Sequence, residues 1–190
     1  PPYLSLSPWQ TVSTIDKKAK FFTIVDGLQG YHQLELDKES RKLTTFATPL
    51  GRFRYCRMPM GWHGSGDIFN ERMAEIFRGI PRIYRVVEDI LIASTSWEEH
   101  VQDVARVLER ASAHNVSINK EKVQFGLTEA KFGGFIIKQG HYEIDDSLTA
   151  ALREFPAPQN RSELRSFLGL VQQLSNFSSE ITVLVEPLRC

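Results

Sequence analysis

The sequence predicts an α+β fold, a split βαβ arrangement in which helices cover one face of an antiparallel sheet. Three observations predict it. Periodic segments follow in the order strand, helix, strand, strand, helix, strand, with a hairpin inserted after the first strand. Two apolar strands carry acids, Phe21-Phe22-Thr23-Ile24-Val25-Asp26 and Val86-Val87-Glu88-Asp89-Ile90-Leu91-Ile92. Two capping boxes, Ser96 with Glu99 and Asn160 with Glu163, open amphipathic runs and fix where helices begin. In this topology the end of the first strand and the tip of the central hairpin are neighbours, so Asp26, Glu88 and Asp89 are expected to meet.

The elements follow in order. Residues 1–20, with Pro1, Pro2 and Pro8, read as an irregular lead. Residues 21–25 form a buried strand ending at Asp26. Gly27 and Gly30 mark a tight turn, and a strand resumes over residues 33–36. Residues 43–48 and 52–57 form a hairpin around Pro49-Leu50-Gly51. Phe53 and Tyr55 alternate there with Arg52, Arg54 and Arg57, giving one apolar and one basic face. Residues 66–78 form a helix with Ile68, Phe69, Met73, Ile76 and Phe77 inward. Residues 83–87 and 90–93 are strands with Glu88-Asp89 at the tip between them. The next helix turns Trp97, Val101, Val104, Leu108 and Ala111 inward. Strands follow near 116–118, 122–125 and 131–137, where Gly133-Gly134 admits close backbone approach. Pro156 and Pro158 mark a boundary before a helix with Leu164, Phe167, Leu168, Val171 and Leu174 inward.

Composition narrows the function classes. The 190 residues are 42% hydrophobic, which supports a core rather than disorder. With 23 basic and 23 acidic residues, net charge points to no partner. Arg52, Arg54 and Arg57, and Lys17, Lys18 and Lys20, are modest basic patches. Cys56 and Cys190 build no disulfide framework, and Cys56 is expected to be a small core residue. No secretory signal and no membrane-length apolar run is visible, so no membrane partner and an intracellular location, cytoplasmic or nuclear, are expected. His32, His63, His100, His114 and His141 lack zinc-ligand spacing. The abrupt ends suggest a piece of a longer polyprotein.

A carboxylate at the end of an apolar strand is unfavourable unless a cation offsets it. Three acids converging from two strands suit two Mg²⁺ (or Mn²⁺) ions and a phosphoryl transfer. A hairpin tip with solvated acids is the plainer alternative.

Five segments in order resemble the reverse transcriptase (RNA-directed DNA polymerase) palm of gypsy-type long-terminal-repeat retrotransposons and, more distantly, retroviruses. They are residues 21–36 (FFTIVDGLQGYHQLEL), 43–61 (LTTFATPLGRFRYCRMPMG), 86–91 (VVEDIL), 131–136 (KFGGFI) and 163–169 (ELRSFLG). The resemblance runs from about Ala19 to Leu188. It implies a palm with partial fingers over residues 21–155, the fingers at about 37–65, and the start of a helical thumb over 156–190. Asp26, Glu88 and Asp89 are implied as catalytic metal ligands. Tyr31 is implied under the sugar of the incoming nucleotide, with Met60, Gly61 and Trp62 bordering nucleotide and template. Phe132, Gly133, Gly134 and Phe135 match the primer grip. Implied partners are an RNA or DNA template with primer, deoxynucleoside triphosphates, and remaining Pol regions or another subunit.

The chain departs from the family pattern in three places. Val86 stands for the turn's aromatic, Glu88 for its first Asp, and Ser65-Gly66 where a small residue and Pro are usual. Glu88 is one methylene longer than Asp, a displacement of roughly an ångström, and errors of that size cost about a hundredfold in rate. Two readings follow: a polymerase palm impaired at Glu88 and by missing fingers, or an inactive retroelement-derived domain that binds nucleic acid or protein.

Overall fold

The computed structural model describes residues 6–28, 30–62, 64–174 and 184–188. Expectations on residues 1–5, His63, residues 175–183 and Cys190, and on the Leu174 side chain, lie outside these. The lead is not wholly irregular, because helix α1 spans Pro8–Ser13. Ser7 and Gln10 form its capping box and Pro8 sits at its first turn. Strand β1, Phe21–Asp26, is buried over its four central residues.

The expected strand over 33–36 is instead a 3-10 turn at Gly30–Gln33 and a single bridge between Glu35 and Arg57. Helix α2, Lys38–Leu43, follows. It starts where the Asp37 carboxylate accepts from the Glu39 and Ser40 amides. Strands β2, Phe46–Thr48, and β3, Gly51–Phe53, make a shorter hairpin than expected. It stands off the core: Phe46, Phe53 and Tyr55 are exposed and pack on one another, with ring centroids 6.3 Å apart for Phe46–Phe53 and 5.3 Å for Phe46–Tyr55. Cys56 is therefore exposed rather than in the core. The buried residue of this stretch is Met58, whose amide donates to the Leu34 carbonyl.

Helix α3, Ser65–Ile76, buries Phe69, Met73 and Ile76, as its apolar spacing predicts, but leaves Ile68 exposed. Strands β4, Ile83–Val86, and β5, Asp89–Ser94, form the central hairpin. Helix α4, Trp97–Ala113, starts at Ser96, whose hydroxyl accepts from the Glu99 amide. Its buried face is His100, Asp103, Val104, Val107 and Ala111. Trp97, Val101 and Leu108 are more than two-fifths exposed, so the inward stripe is rotated from the expected one. Two polar residues claim that face because they find partners there.

Strand β6, Gln124–Leu127, completes a four-stranded antiparallel sheet in the order β4-β5-β1-β6. Helices α3 and α4 pack on one face, around Val25, Ile90 and Ile92. The run 131–137 is not one strand but a hairpin, β7 (Glu129–Phe132) and β8 (Phe135–Lys138), extended by β9 (His141–Ile144). This three-stranded sheet and α1 cover the opposite face, where Val12, Phe22, Leu91, Phe132 and Phe135 share a second core. Helices α5, Asp146–Arg153, and α6, Arg161–Leu174, follow. Of the Asn160–Glu163 box one arm forms, the Glu163 amide donating to the Asn160 side chain; the Glu163 carboxylate instead accepts from the Asn160 side-chain amide and the Gln159 backbone amide, and Val171 is buried.

Candidate active site

Asp26 ends β1 and Asp89 begins β5, and the two are Cα partners across the antiparallel ladder. Register thus places two acids side by side at one edge of the central strand pair. Val87 and Glu88 form the turn between β4 and β5. Val87 takes φ 52° there, a left-handed backbone that a β-branched residue rarely adopts. Strain of that kind costs on the order of 1–3 kcal/mol and persists where the surroundings fix the turn.

The Glu88 carboxylate is tucked inward. Its Cδ lies 3.6 Å from where a Cβ on Gly30 would stand, and the Phe69 ring lies 2.9 Å from that same point. Glycine at position 30 therefore leaves room for the Phe69 ring, with the Glu88 carboxyl at ordinary contact distance beside it. Burial first, then the charges of Asp26 and Asp89, raise the Glu88 pKa above the ordinary carboxylate range. Burial and Asp26 raise that of Asp89. Lys122 lowers both in part. Three carboxylates thus share one field, with repulsion that a cation relieves.

Lys122 was not signalled by any motif. A 3-10 turn at Lys120–Lys122 carries it, and its Nζ lies 2.7 Å from Asp26 Oδ2. The donor set fits a hard divalent cation in kind, being all oxygen and anionic. It is not gathered around one point: among the described residues, no three His, Cys, Asp or Glu side chains are arranged to hold a metal ion.

Tyr31 packs on Phe69 with centroids 5.2 Å apart, and burial and Glu88 raise its pKa. Its hydroxyl lies 4.0 Å from where a Cβ on Gly66 would stand, so it reaches the start of α3. Met60 and Trp62 are exposed on the loop before that helix, and Gly61 takes φ 82°. The Ser65 hydroxyl donates to the Pro59 carbonyl at 2.8 Å and ties this loop down. Phe132 and Phe135 pair across the Gly133-Gly134 turn and are buried. The close approach there is made by the chain itself: a Cβ on Gly133 would stand 3.1 Å from Pro8 Cβ and 3.3 Å from Val86 Cγ2, and one on Gly134 2.8 Å from Leu148 Cδ1. The turn therefore sits beside the strand that leads into the carboxylates. Arg57 is not on a free basic face, since it donates to the His32 and Gln33 carbonyls.

Against this geometry, the family described as reverse transcriptase (RNA-dependent DNA polymerase) matches residues 4–137. The chain belongs to the reverse transcriptase family. It is 31% identical over 173 residues to the retrovirus-related Pol polyprotein from transposon gypsy of Drosophila melanogaster, covering 90% of this chain and 17% of that protein. It is 29% identical over 178 residues to the enzymatic polyprotein of cauliflower mosaic virus (strain D/H), covering 93% of this chain and 26% of that one. The chain therefore spans a minor part of the relatives it matches. Among solved structures it resembles the foamy viral protease-reverse transcriptase in complex with RNA/DNA hybrid, with TM-score 0.78 and 22% identity over 94% of this chain and 24% of the other. The form in complex with double-stranded DNA gives TM-score 0.81 and 21% identity over 99% and 34%. The fold is the α+β palm of a retroelement reverse transcriptase. No helix among the described residues is long and apolar enough to cross a membrane.

Proposed function

We propose that this reverse transcriptase domain carries out nucleotidyl transfer, with Asp26, Glu88 and Asp89 as its catalytic carboxylates and with reduced rate because of Glu88. The observation that carries the reading is the register of Asp26 against Asp89, with Glu88 on the adjoining turn and all three in one electrostatic field. Two divalent ions, Mg²⁺ or Mn²⁺, would activate the primer 3′-hydroxyl and offset charge on the leaving pyrophosphate. Asp26 and Asp89 would supply oxygens from rigid strands, and Glu88 from a strained turn. Tyr31, beside Glu88 and Gly66, would lie under the nucleotide sugar, with Met60, Gly61 and Trp62 along the template side. The Phe132–Phe135 turn would meet the primer through its backbone, because its aromatic rings are in the core. The partners would be an RNA or DNA template with primer, deoxynucleoside triphosphates, and further Pol regions or a second subunit. The nucleic acids in the foamy viral complexes support the first of these.

A second reading is a catalytically inactive domain that binds nucleic acid or protein. The ungathered carboxylates and the ammonium on Asp26 favour it. Single-nucleotide incorporation on RNA- and DNA-templated primers separates the two. The first reading expects slow, metal-dependent extension, faster in Mn²⁺ because its geometry is more permissive, and lost in Asp26→Asn. Duplex binding without any extension in either metal, by Glu88→Asp in a chain that carries complete fingers, establishes the second reading instead.

A further inference from the structure

Lys122 stands where a cation would be expected, and its placement is built rather than incidental. The amide of Leu28 donates to the Ser117 carbonyl and the amide of Asn119 to the carbonyl of Asp26, both at 2.9 Å. Gly27 and Ile118 form a bridge between these segments. The Asn119 side chain then accepts from the Glu121 amide at 3.2 Å, and the Lys122 amide donates to the Asn119 carbonyl at 3.1 Å. The lysine is thus carried back over Asp26 by backbone that is itself hydrogen-bonded to Asp26.

We propose that Lys122 is an internal counter-ion of the carboxylate set, which holds Asp26 in the metal-free chain and competes with a divalent ion for that carboxylate. The inference rests on the metal-binding reading above. Asp26 is the fixed partner, with a side chain 12% exposed; Lys122 is the movable one, at 65%. Asp26 Oδ2 already accepts the ammonium at 2.7 Å, so a divalent ion at about 2.1 Å from this carboxylate, the Mg²⁺ ligand distance, meets a positive charge that is held there. Displacement is feasible because an ion pair with an exposed lysine is weak. It also gives a physical reason for the ungathered carboxylates: Asp26 faces its lysine until a stronger cation competes for it.

The test is Mn²⁺ affinity, read by electron paramagnetic resonance of free Mn²⁺ at about 0.1 M salt, where distant charges are screened. Wild type, Lys122→Met, Lys120→Met and Asp26→Asn are compared, with no substrate present. Lys120 lies in the same 3-10 turn and controls for charge alone. Lys122→Met is expected to bind Mn²⁺ about two- to fivefold more tightly than wild type, the range that loss of a weak competing ion pair allows, while Lys120→Met stays within error of wild type. The melting temperature of metal-free Lys122→Met is expected to fall below that of the wild type, and the difference to close at saturating Mn²⁺. Equal affinity in wild type and Lys122→Met, or an equal gain in Lys120→Met, overturns the counter-ion role while leaving the metal site standing. If neither wild type nor Lys122→Met binds Mn²⁺ better than Asp26→Asn does, the metal site itself fails.

Discussion

Glu88 concentrates the tension of this site in one side chain. It is tucked against Gly30 and Phe69, and its pKa is raised by burial and by two neighbouring acids. A carboxyl with a raised folded-state pKa binds more protons folded than unfolded. Its contribution to stability is complete below the unfolded value of about 4.3 and is lost as pH rises through the folded value. At neutral pH the charged Glu88 therefore works against the fold. Glu88→Gln is expected to raise the melting temperature by roughly 2 °C at pH 7, a fraction of a kcal/mol for a chain of this size, and to change it little at about pH 4. Differential scanning fluorimetry at the two pH values checks this, and a rise of equal size at both contradicts the electrostatic account. At this scale the acids were legible in the sequence, because apolar strands do not carry ionised groups without cause. Lys122 was not, because its role depends on a backbone bridge between segments remote in sequence.

At the scale of elements, the clearest finding is the polar network that joins α4 to the sheet. Asp103 is fully buried and takes two hydrogen bonds from Arg82, at 2.7 and 2.8 Å, and one from the Ser94 hydroxyl at 2.8 Å. Ser94 has then spent its proton, so the His100 Nδ1 3.0 Å away must donate to it. His100 Nε2 is left to accept from Thr23 Oγ1 at 2.7 Å, and that oxygen accepts from the Gly126 amide at 3.1 Å. Every hydrogen in the chain is assigned, and His100 is neutral. Burial lowers the His100 pKa, although Asp103 acts partly against it. The unfolded state then binds more protons, so stability is complete above the unfolded value of about 6.5 and falls as pH drops toward the folded one. His100→Gln is expected to flatten that slope below about pH 6.5 in chemical denaturation. Burial pushes the Asp103 pKa up, but hydrogen bonds from Arg82 and Ser94 and the charges of Arg82 and Arg106 together hold it below the ordinary range. Asp103→Ala leaves Arg82 without its carboxylate and is expected to destabilise by about 3–5 kcal/mol. A loss under 1 kcal/mol contradicts the network. This explains why the stripe on α4 was misplaced: periodicity counts apolar residues, and here His100 and Asp103 are buried by their partners. The capping signals of α1 and α2, Ser7-Pro8 and Asp37, were present but lacked an apolar run behind them.

For the molecule as a whole, the antiparallel split βαβ arrangement and the meeting of Asp26 with the central turn were readable, since both follow from element order. The second core was not. Residues 131–137 read as one strand because Phe132 and Phe135 flank Gly133-Gly134 without polar punctuation; both glycines take positive φ and turn the chain into a hairpin. That hairpin and α1 bury the face of the sheet that α3 and α4 leave open. Charge distribution sets a further expectation. With 23 basic and 23 acidic residues, and with Arg57 engaged by backbone carbonyls, duplex binding has Arg52 and Arg54 as its exposed cations on the β2–β3 hairpin. Binding to primer-template is expected to be weak and salt-sensitive, and Arg52→Ala with Arg54→Ala to reduce the salt slope by up to about 2. A fluorescence anisotropy titration at low and moderate salt measures it, and affinity indifferent to salt contradicts it. The central claim, that Asp26, Glu88 and Asp89 carry nucleotidyl transfer with Glu88 as the slow member, is tested most directly by single-turnover primer extension in Mg²⁺ with the wild type, Glu88→Asp and Asp26→Asn, each in a chain that carries complete fingers. The account predicts a rise of at least about tenfold for Glu88→Asp, or roughly 1.4 kcal/mol off the barrier, and no extension for Asp26→Asn. A Glu88→Asp chain that binds duplex and stays no faster than the wild type would contradict it.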